Sequence, residues 1–430
     1  MRRSSMVDLI VMGAGLSGMM AAYTAARAGL SVRVAAKGLG SMHWSAGTID
    51  VLGYLPEMYE DAVKRPLEAI QSLTETHPTH PYALMGAEQV SQALATFVAL
   101  SKEIGMPYGG AANPGDNLLL PSPAGAARPT YLAPQAQLAG DLSRAEPMVI
   151  IGFKGMRDFF PELIAENLNK LGYAARATFL DLSLITDQRD RNTVQLARGL
   201  DMKEKRIALA AALKKVVQPG ERIGLPAILG MTHHLMLLAE LEEATSSPVF
   251  EIPTLPPSVP GVRLFTALRE HVRGMGVRVE AGVEVIHSQT IAANGSPGKV
   301  TWVESATGAR PWRQHAPKFL LATGGILGGG FDSNIDGRVW ETIFDLPLTV
   351  PQNRANWFEA GFFSQSGHPV FNGGVAVNKD YQPIDSEGKP VYKNLWAAGN
   401  ILAQYDPIQE RSLEGTAVST GIAAALALSQ

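Results

Sequence analysis

Gly13, Gly15 and Gly18 stand at the spacing with which a chain cradles a pyrophosphate. In Gly13-Ala14-Gly15-Leu16-Ser17-Gly18 the first glycine permits a tight turn, the second lets the backbone approach phosphates, and the third lets a helix pack closely on a strand. The chemistry is binding: N–H groups at a helix N-terminus, with the positive end of its dipole, meet negative oxygens. Such spacing acquires meaning only between a strand and a helix. Val7 to Met12 reads as a short buried strand, an Ala-rich helical stretch follows and closes at Gly29, and Leu30 to Ala36 reads as a second strand. A β-α-β unit is therefore predicted at the start of the chain.

One part of this fingerprint is missing. A dinucleotide site expects Asp or Glu about 20 residues on, at the end of the second strand, to accept from ribose hydroxyls. That place holds Ala35, Ala36 and Lys37. Lys37 would suit the 2′-phosphate of NADP; equally, the site would suit a mononucleotide, or FAD with its ribose held by other groups.

At 430 residues the chain exceeds what one hydrophobic core usually supports, so two lobes sharing an interface are expected. Hydrophobic residues at 46% and charged residues at 18% fit an ordinary α/β protein. A net charge of −3 gives no basis for a nucleic-acid or polybasic membrane surface. There is no cysteine, which excludes disulfides, thiolate nucleophiles and cysteine-held iron–sulfur clusters from this sequence. Met1-Arg2-Arg3 before an apolar stretch imitates a signal peptide, but Asp8 and the glycine fingerprint argue against one. No apolar run reaches the length of a transmembrane helix, so a cytoplasmic protein is expected.

Further along, residues 67–105 read as mainly helical, and 106–147 as a long loop or cap edge rich in Pro, Gly and Ala. A second strand–turn–helix from Pro147 through Leu171 has only two glycines and reads as the core of an inserted α/β lobe, with helices near 190–217 and 230–245. The proline-rich Glu251–Gly261 segment marks the return to the first domain, followed by a helix, the strand 277–281 and an alternating stretch at 299–315. Phe319 to Gly325 and Asn394 to Asn400 each read as a buried strand running into a glycine turn, and Gly415 to Leu428 as a helix. That order is used by two-lobed flavoproteins, in which distant strand ends meet around the cofactor. The fold expected is α/β, with a Rossmann-like parallel-sheet domain (1–65, 261–330 and 390–430) and an inserted α/β cap lobe (66–260 and 331–389). Besides the first glycines, Ser45 and Gly47, Thr323 and Gly324, Gly399 and Asn400, and Gly415, Thr416 and Ala417 are the expected cofactor contacts, with the last helix aimed at the flavin pyrimidine ring.

Four segments are more specific: Ser41-Met-His-Trp-Ser-Ala-Gly-Thr-Ile-Asp50, His80-Pro-Tyr-Ala-Leu-Met-Gly86, Pro253 to Gly261, and Asn394 to Asn400 with Tyr405-Asp-Pro407. Together they resemble the B subunit of the anaerobic glycerol-3-phosphate dehydrogenase, over the whole chain. The resemblance implies a flavoprotein, with FMN as its usual cofactor where the fingerprint alone suggests FAD. It also implies a second flavoprotein subunit and an iron–sulfur subunit that anchors the complex to the inner face of the membrane. The implied reaction oxidises sn-glycerol 3-phosphate to dihydroxyacetone phosphate, with electrons passing to quinone. The sequence departs from flavoproteins of this architecture at Glu410-Arg-Ser-Leu-Glu-Gly415, where they favour small residues, and at Asn400, where an acid is common.

Flavin-dependent alcohol oxidation needs a base for the hydroxyl proton, and a phosphorylated substrate needs Arg or Lys. His43 follows the second strand. His368, in Gly367-His-Pro-Val-Phe-Asn-Gly-Gly374, is similar to the substrate-contacting histidine stretch of fumarate reductase flavoproteins. Arg354 and Arg411, with Arg338, are the phosphate candidates. His233 and His234 diverge on a helix and make a poor metal pair, so no metal site is expected. Two competing readings stand beside this one. The first is a self-sufficient flavin oxidoreductase of the fumarate reductase or 3-ketosteroid dehydrogenase type. The second is a non-catalytic flavin-fold scaffold, suggested by the charged Glu410–Glu414 run.

Overall fold

The computed structural model describes residues 7–430 apart from 189–190, 294–295, 307–309, 363 and 365. It falls into two compact units: residues 1–41, 50–100 and 268–430, and residues 42–49 and 101–267. The boundaries expected from the sequence put 66–100 and 331–389 in the inserted lobe, whereas here both stretches lie in the first unit.

The first unit is built on five parallel strands in the spatial order Arg278–Ala281, Val32–Ala36, Leu9–Met12, Lys318–Leu321, Leu395–Ala397. Leu9–Met12 is central, and its four residues are buried, as expected of a parallel strand covered on both faces. Helix Leu16–Arg27 packs extensively on the terminal helix Leu413–Ser429, both rich in small residues that let the two backbones approach. Gly421 is one such point, since a Cβ there would meet the Ser17 carbonyl oxygen at 2.4 Å. The alternation at 299–315 becomes an antiparallel sheet of strands Glu284–Ala293, Ser296–Ala306 and Trp312–Gln314.

The second unit carries its own parallel sheet, in the order Val249–Ile252, Arg222–Pro226, Met148–Lys154, Ala175–Asp181. One face is covered by leucines of helices Thr193–Leu200, Lys203–Val216 and His234–Thr245. Arg263 and Glu251 form a buried two-pronged ion pair at 2.7 and 2.9 Å, completed by the Gly230 carbonyl, which accepts from Arg263, and the Leu229 N–H, which donates to Glu251. The stretch 106–147 is not the loop its composition suggests. Leu118–Pro121 and Ala127–Thr130 form a hairpin, and Tyr108–Gly109 pairs with Ala133–Pro134. Prolines and glycines mark the turns between strands too short to show periodicity.

Candidate functional site

Strand register brings the glycine segments together. Met12 is paired with Leu321, and Leu321 with Ala397. The three chains leave the sheet side by side at the carboxyl ends of parallel strands, where open α/β sheets bind ligands. Gly13 leaves at φ +116°, and a Cβ on it would lie 2.1 Å from the Ala322 carbonyl oxygen. Gly18 is equally constrained, since its Cβ would meet the Gly13 oxygen at 2.0 Å, and a Cβ on Gly399 would lie 2.3 Å from Ser17 Oγ. These three glycines are required by packing.

Gly15 differs. It caps the Leu16–Arg27 helix, no side chain accepts from the first helical N–H groups, and nothing lies within 4 Å of its Cβ position. The second fingerprint glycine therefore faces open space at a helix N-terminus, as a pyrophosphate contact requires. Thr323, beside Gly13, has its Oγ1 buried with no protein partner. A hydroxyl left so is costly unless a ligand meets it. Gly13, Ala14, Gly15, Leu16, Ser17, Gly18, Thr323, Gly324, Gly399 and Asn400 thus form one locality, and its open backbone and orphaned hydroxyl fit a flavin dinucleotide. Lys37 follows the second strand, in an exposed pair with Glu284 at 3.0 Å.

The approach to the last helix looks different. The Gly415 N–H donates to the Asp50 carbonyl at 2.9 Å, and a Cβ on Gly415 would meet Tyr82 Oη at 2.4 Å. Thr416 and Ala417 are buried behind it. The charged run Glu410–Glu414 is folded inward. Glu410 accepts from His80 Nε2 at 3.0 Å, from Ser412 Oγ at 3.1 Å and from the Asp406 N–H at 2.8 Å, while its own carbonyl accepts from the Gly53 and Tyr54 N–H groups. His80 Nδ1 accepts from the Tyr82 N–H, which fixes the proton on Nε2, facing the carboxylate. Arg411, held at φ +50°, donates to Asp50 at 2.6 Å. Burial and the neighbouring acids push the Tyr82 and Tyr405 hydroxyls well above their usual range. Sequence reasoning missed this network. The one signal for it is His80-Pro81, a side-chain acceptor followed by proline at a helix start, which is how His80 caps helix Pro81–Met85.

The other expected residues lie apart from the cradle. His368 is half-buried, its Nδ1 accepts from the Glu359 N–H at 3.1 Å, its Nε2 meets the Phe362 carbonyl at 3.1 Å, and its ring lies edge-on to Phe358 and Phe371. Arg354 is exposed above the Trp357 ring, and Arg338 pairs with Asp345 at 3.5 Å. In the second unit His43 stacks on Trp44, and its carbonyl accepts from the Ser258 N–H. Ser45 Oγ accepts from the Gly47 N–H, and Gly47, at φ +79°, abuts Pro260, so both shape their loop. His233 caps a helix whose first residue, His234, is buried, and that burial lowers the imidazole to about 4.

A family described as FAD binding domain matches residues 8–416. The B subunit of anaerobic glycerol-3-phosphate dehydrogenase from Aliivibrio fischeri is 31% identical over 447 residues, covering 97% of this chain and 94% of its own. The probable B subunit of anaerobic glycerol-3-phosphate dehydrogenase from Halobacterium salinarum is 31% identical over 434 residues, covering 98% of both chains. Among solved structures, 3-ketosteroid delta1-dehydrogenase of Sterolibacterium denitrificans aligns with 99% of this chain and 100% of its own, at a TM-score of 0.48 and 12% identity.

Proposed function

The chain belongs to the family of anaerobic glycerol-3-phosphate dehydrogenase B subunits and carries an FAD binding domain, and from that premise we propose that it is the flavin subunit of a membrane-associated sn-glycerol-3-phosphate:quinone oxidoreductase. In this reading the complex oxidises glycerol 3-phosphate to dihydroxyacetone phosphate. Electrons pass through a second flavoprotein subunit and an iron–sulfur anchor subunit to quinone, and this chain sits peripherally on the membrane through those partners. The observation that carries it is the open cradle at Gly15, with the unpartnered Thr323 Oγ1 in the same locality. Bound FAD supplies a two-electron acceptor. The chain's own part is to hold the pyrophosphate at Gly13–Gly18 and Thr323. Having no cysteine, this sequence needs a partner to carry electrons onward through a cluster. Among the described residues no helix is long and apolar enough to cross a membrane, which fits an anchor lying elsewhere. Native mass spectrometry after co-expression with the two partner subunits tests the assembly. A stable heteromeric complex with glycerol-3-phosphate-dependent quinone reduction is expected, and a chain that persistently purifies alone would contradict it.

A second reading concerns where the substrate binds. Both ring nitrogens of His368 are engaged by backbone groups, and the Gly415 N–H is already taken by Asp50. This favours a division in which the present chain holds flavin while the alcohol is oxidised on the partner flavoprotein. Replacing His368 by Gln separates the two. A fall in turnover of about tenfold or more, with an unchanged flavin spectrum, places proton transfer here; equal turnover places it on the partner.

A further inference from the structure

Resting on the reading that Thr323 meets the cofactor, the segment behind it takes on a second part. The chain runs through Thr323 and Gly324 into a short glycine-rich turn that folds back on them. A Cβ on Gly328 would lie 2.8 Å from the Thr323 carbonyl oxygen, and one on Gly330 would lie 1.7 Å from that of Gly324. The Gly328 and Gly330 N–H groups both donate to the Gly325 carbonyl, at 2.9 and 3.1 Å. These backbones touch directly, so whatever holds Gly330 also holds Thr323 and Gly324. Gly330 is held by Thr342. Its carbonyl accepts from the Thr342 N–H at 3.1 Å and from Thr342 Oγ1 at 3.2 Å, and the Gly329 carbonyl accepts from the same hydroxyl at 3.3 Å. Phe331, the next residue, opens the hairpin of Phe331–Ser333 with Val339–Glu341 and is paired with Glu341. Glu341 is only 1% exposed. Its Oε1 accepts from the Ile343 N–H at 3.0 Å and its Oε2 from the Phe344 N–H at 2.7 Å, and the Leu346 N–H donates to the same carboxylate.

We propose that Glu341 is a positioning residue for the cofactor cradle: its carboxylate fastens the turn 342–346, Thr342 in that turn fastens Gly330, and Gly330 sets Thr323 and Gly324 for FAD, so that the cradle binds well only while Glu341 is ionised. A carboxylate accepts on both oxygens, as this one does. Protonation turns one oxygen into an O–H donor facing an N–H group, so at least one bond to the turn is weakened. Burial raises the Glu341 carboxyl to about 7 against the pull of its three N–H groups, and Asp345 adds to the rise. The other groups around it do not offset this. On the hairpin Asp332 is exposed, and Arg338 pairs with Asp345 at 3.5 Å on the surface. Strand Glu284–Ala293 contributes Ser288, whose Oγ donates to the Ile343 carbonyl at 2.7 Å, and Tyr392 brings its ring within 6.2 Å of Phe344. With a value of about 7, the ionised fraction falls about tenfold between about pH 8 and about pH 6, and the apparent FAD affinity falls with it.

The test is titration of the full-length chain, stripped of flavin, with FAD at about pH 8 and about pH 6, followed by flavin fluorescence. The wild-type dissociation constant should be about tenfold lower at the higher pH. Glu341→Gln keeps one acceptor oxygen and loses the charge, so it should bind at both pH values about as weakly as wild type does at pH 6. A residue that merely stabilised the turn would lower the melting temperature in this variant and leave the tenfold ratio in place, and that result overturns the proposal. Should Glu341→Gln fold poorly, Thr342→Val removes the hydroxyl bonds to Gly329 and Gly330 and keeps Glu341. It should weaken FAD by about fivefold at both pH values; affinity equal to wild type would overturn the link from the turn to the cradle. Wild-type chain that binds FAD equally at both pH values defeats this proposal alone, whereas wild-type chain that binds no FAD at either defeats the cofactor reading together with it.

Discussion

Two glycines at two helix starts divide the first unit. Gly15 begins the Leu16–Arg27 helix with open space at its Cβ and no capping side chain. Gly415 lies in the first turn of Leu413–Ser429 with its N–H given to Asp50, Tyr82 against its Cβ position, and a buried carboxylate network at its back. Both helices are rich in small residues and pack on one another. At the first start the glycine faces open space, whereas at the second the Gly415 N–H is given to the Asp50 carbonyl and Tyr82 fills the space at its Cβ. Helix dipole and glycine alone therefore do not make a binding site; what matters is whether the chain has already supplied the acceptors.

The largest effect should come from closing the open start. Gly15→Val places branched carbons where the cradle is open, and flavin occupancy should fall from full to none in a chain that still folds, as read by absorbance near 450 nm and circular dichroism. A folded variant retaining its flavin would erase the contrast. At the closed start, His80→Ala removes the donor to Glu410 and leaves that carboxylate buried with less compensation, at a cost of about 3 kcal/mol. Denaturant unfolding should show the loss, while the fraction that stays folded keeps its flavin. If flavin is lost as well, this start belongs to the cofactor site after all.

A smaller, pH-dependent effect sharpens the closed side. Burial raises the Asp406 carboxyl above its usual 3.8. The folded chain therefore holds that proton more tightly than the unfolded chain, and stability from this group is full below 3.8 and is lost as pH rises through the raised value. Asp406→Asn removes the titration and keeps an oxygen for the Ile408 and Gln409 N–H groups. The melting temperature of the variant relative to wild type should be more favourable at about pH 8 than at about pH 4.5. An equal difference at both would show that Asp406 does not titrate abnormally. The smallest effect is expected at Lys37→Gln. Its pair with Glu284 is exposed on both sides, so stability should change by less than about 1 kcal/mol.

The open region is legible in the sequence because its signals are local. The glycine spacing, the two flanking strands and the strand–turn segments at 319–325 and 394–400 each lie within a few residues, and parallel register then brings the three turns together. The closed region is legible only as a departure, a charged run where small residues are expected. Its explanation needs His80 to meet Glu410, 330 residues away, and nothing local reports that pairing. The strands Ala175–Asp181, Arg222–Pro226 and Val249–Ile252 of the second unit are equally silent. Two are short, fully buried runs without alternation, and the third mixes Arg, Thr and Asp into partly exposed positions.

Gly13–Gly18 and Thr323 are expected to hold the pyrophosphate of FAD. Release of the cofactor from the purified chain by heat and its separation by liquid chromatography test this most directly. One equivalent of FAD per chain is predicted. A folded chain that yields FMN, or no flavin, would contradict it, because neither leaves a pyrophosphate for the open start at Gly15 to bind.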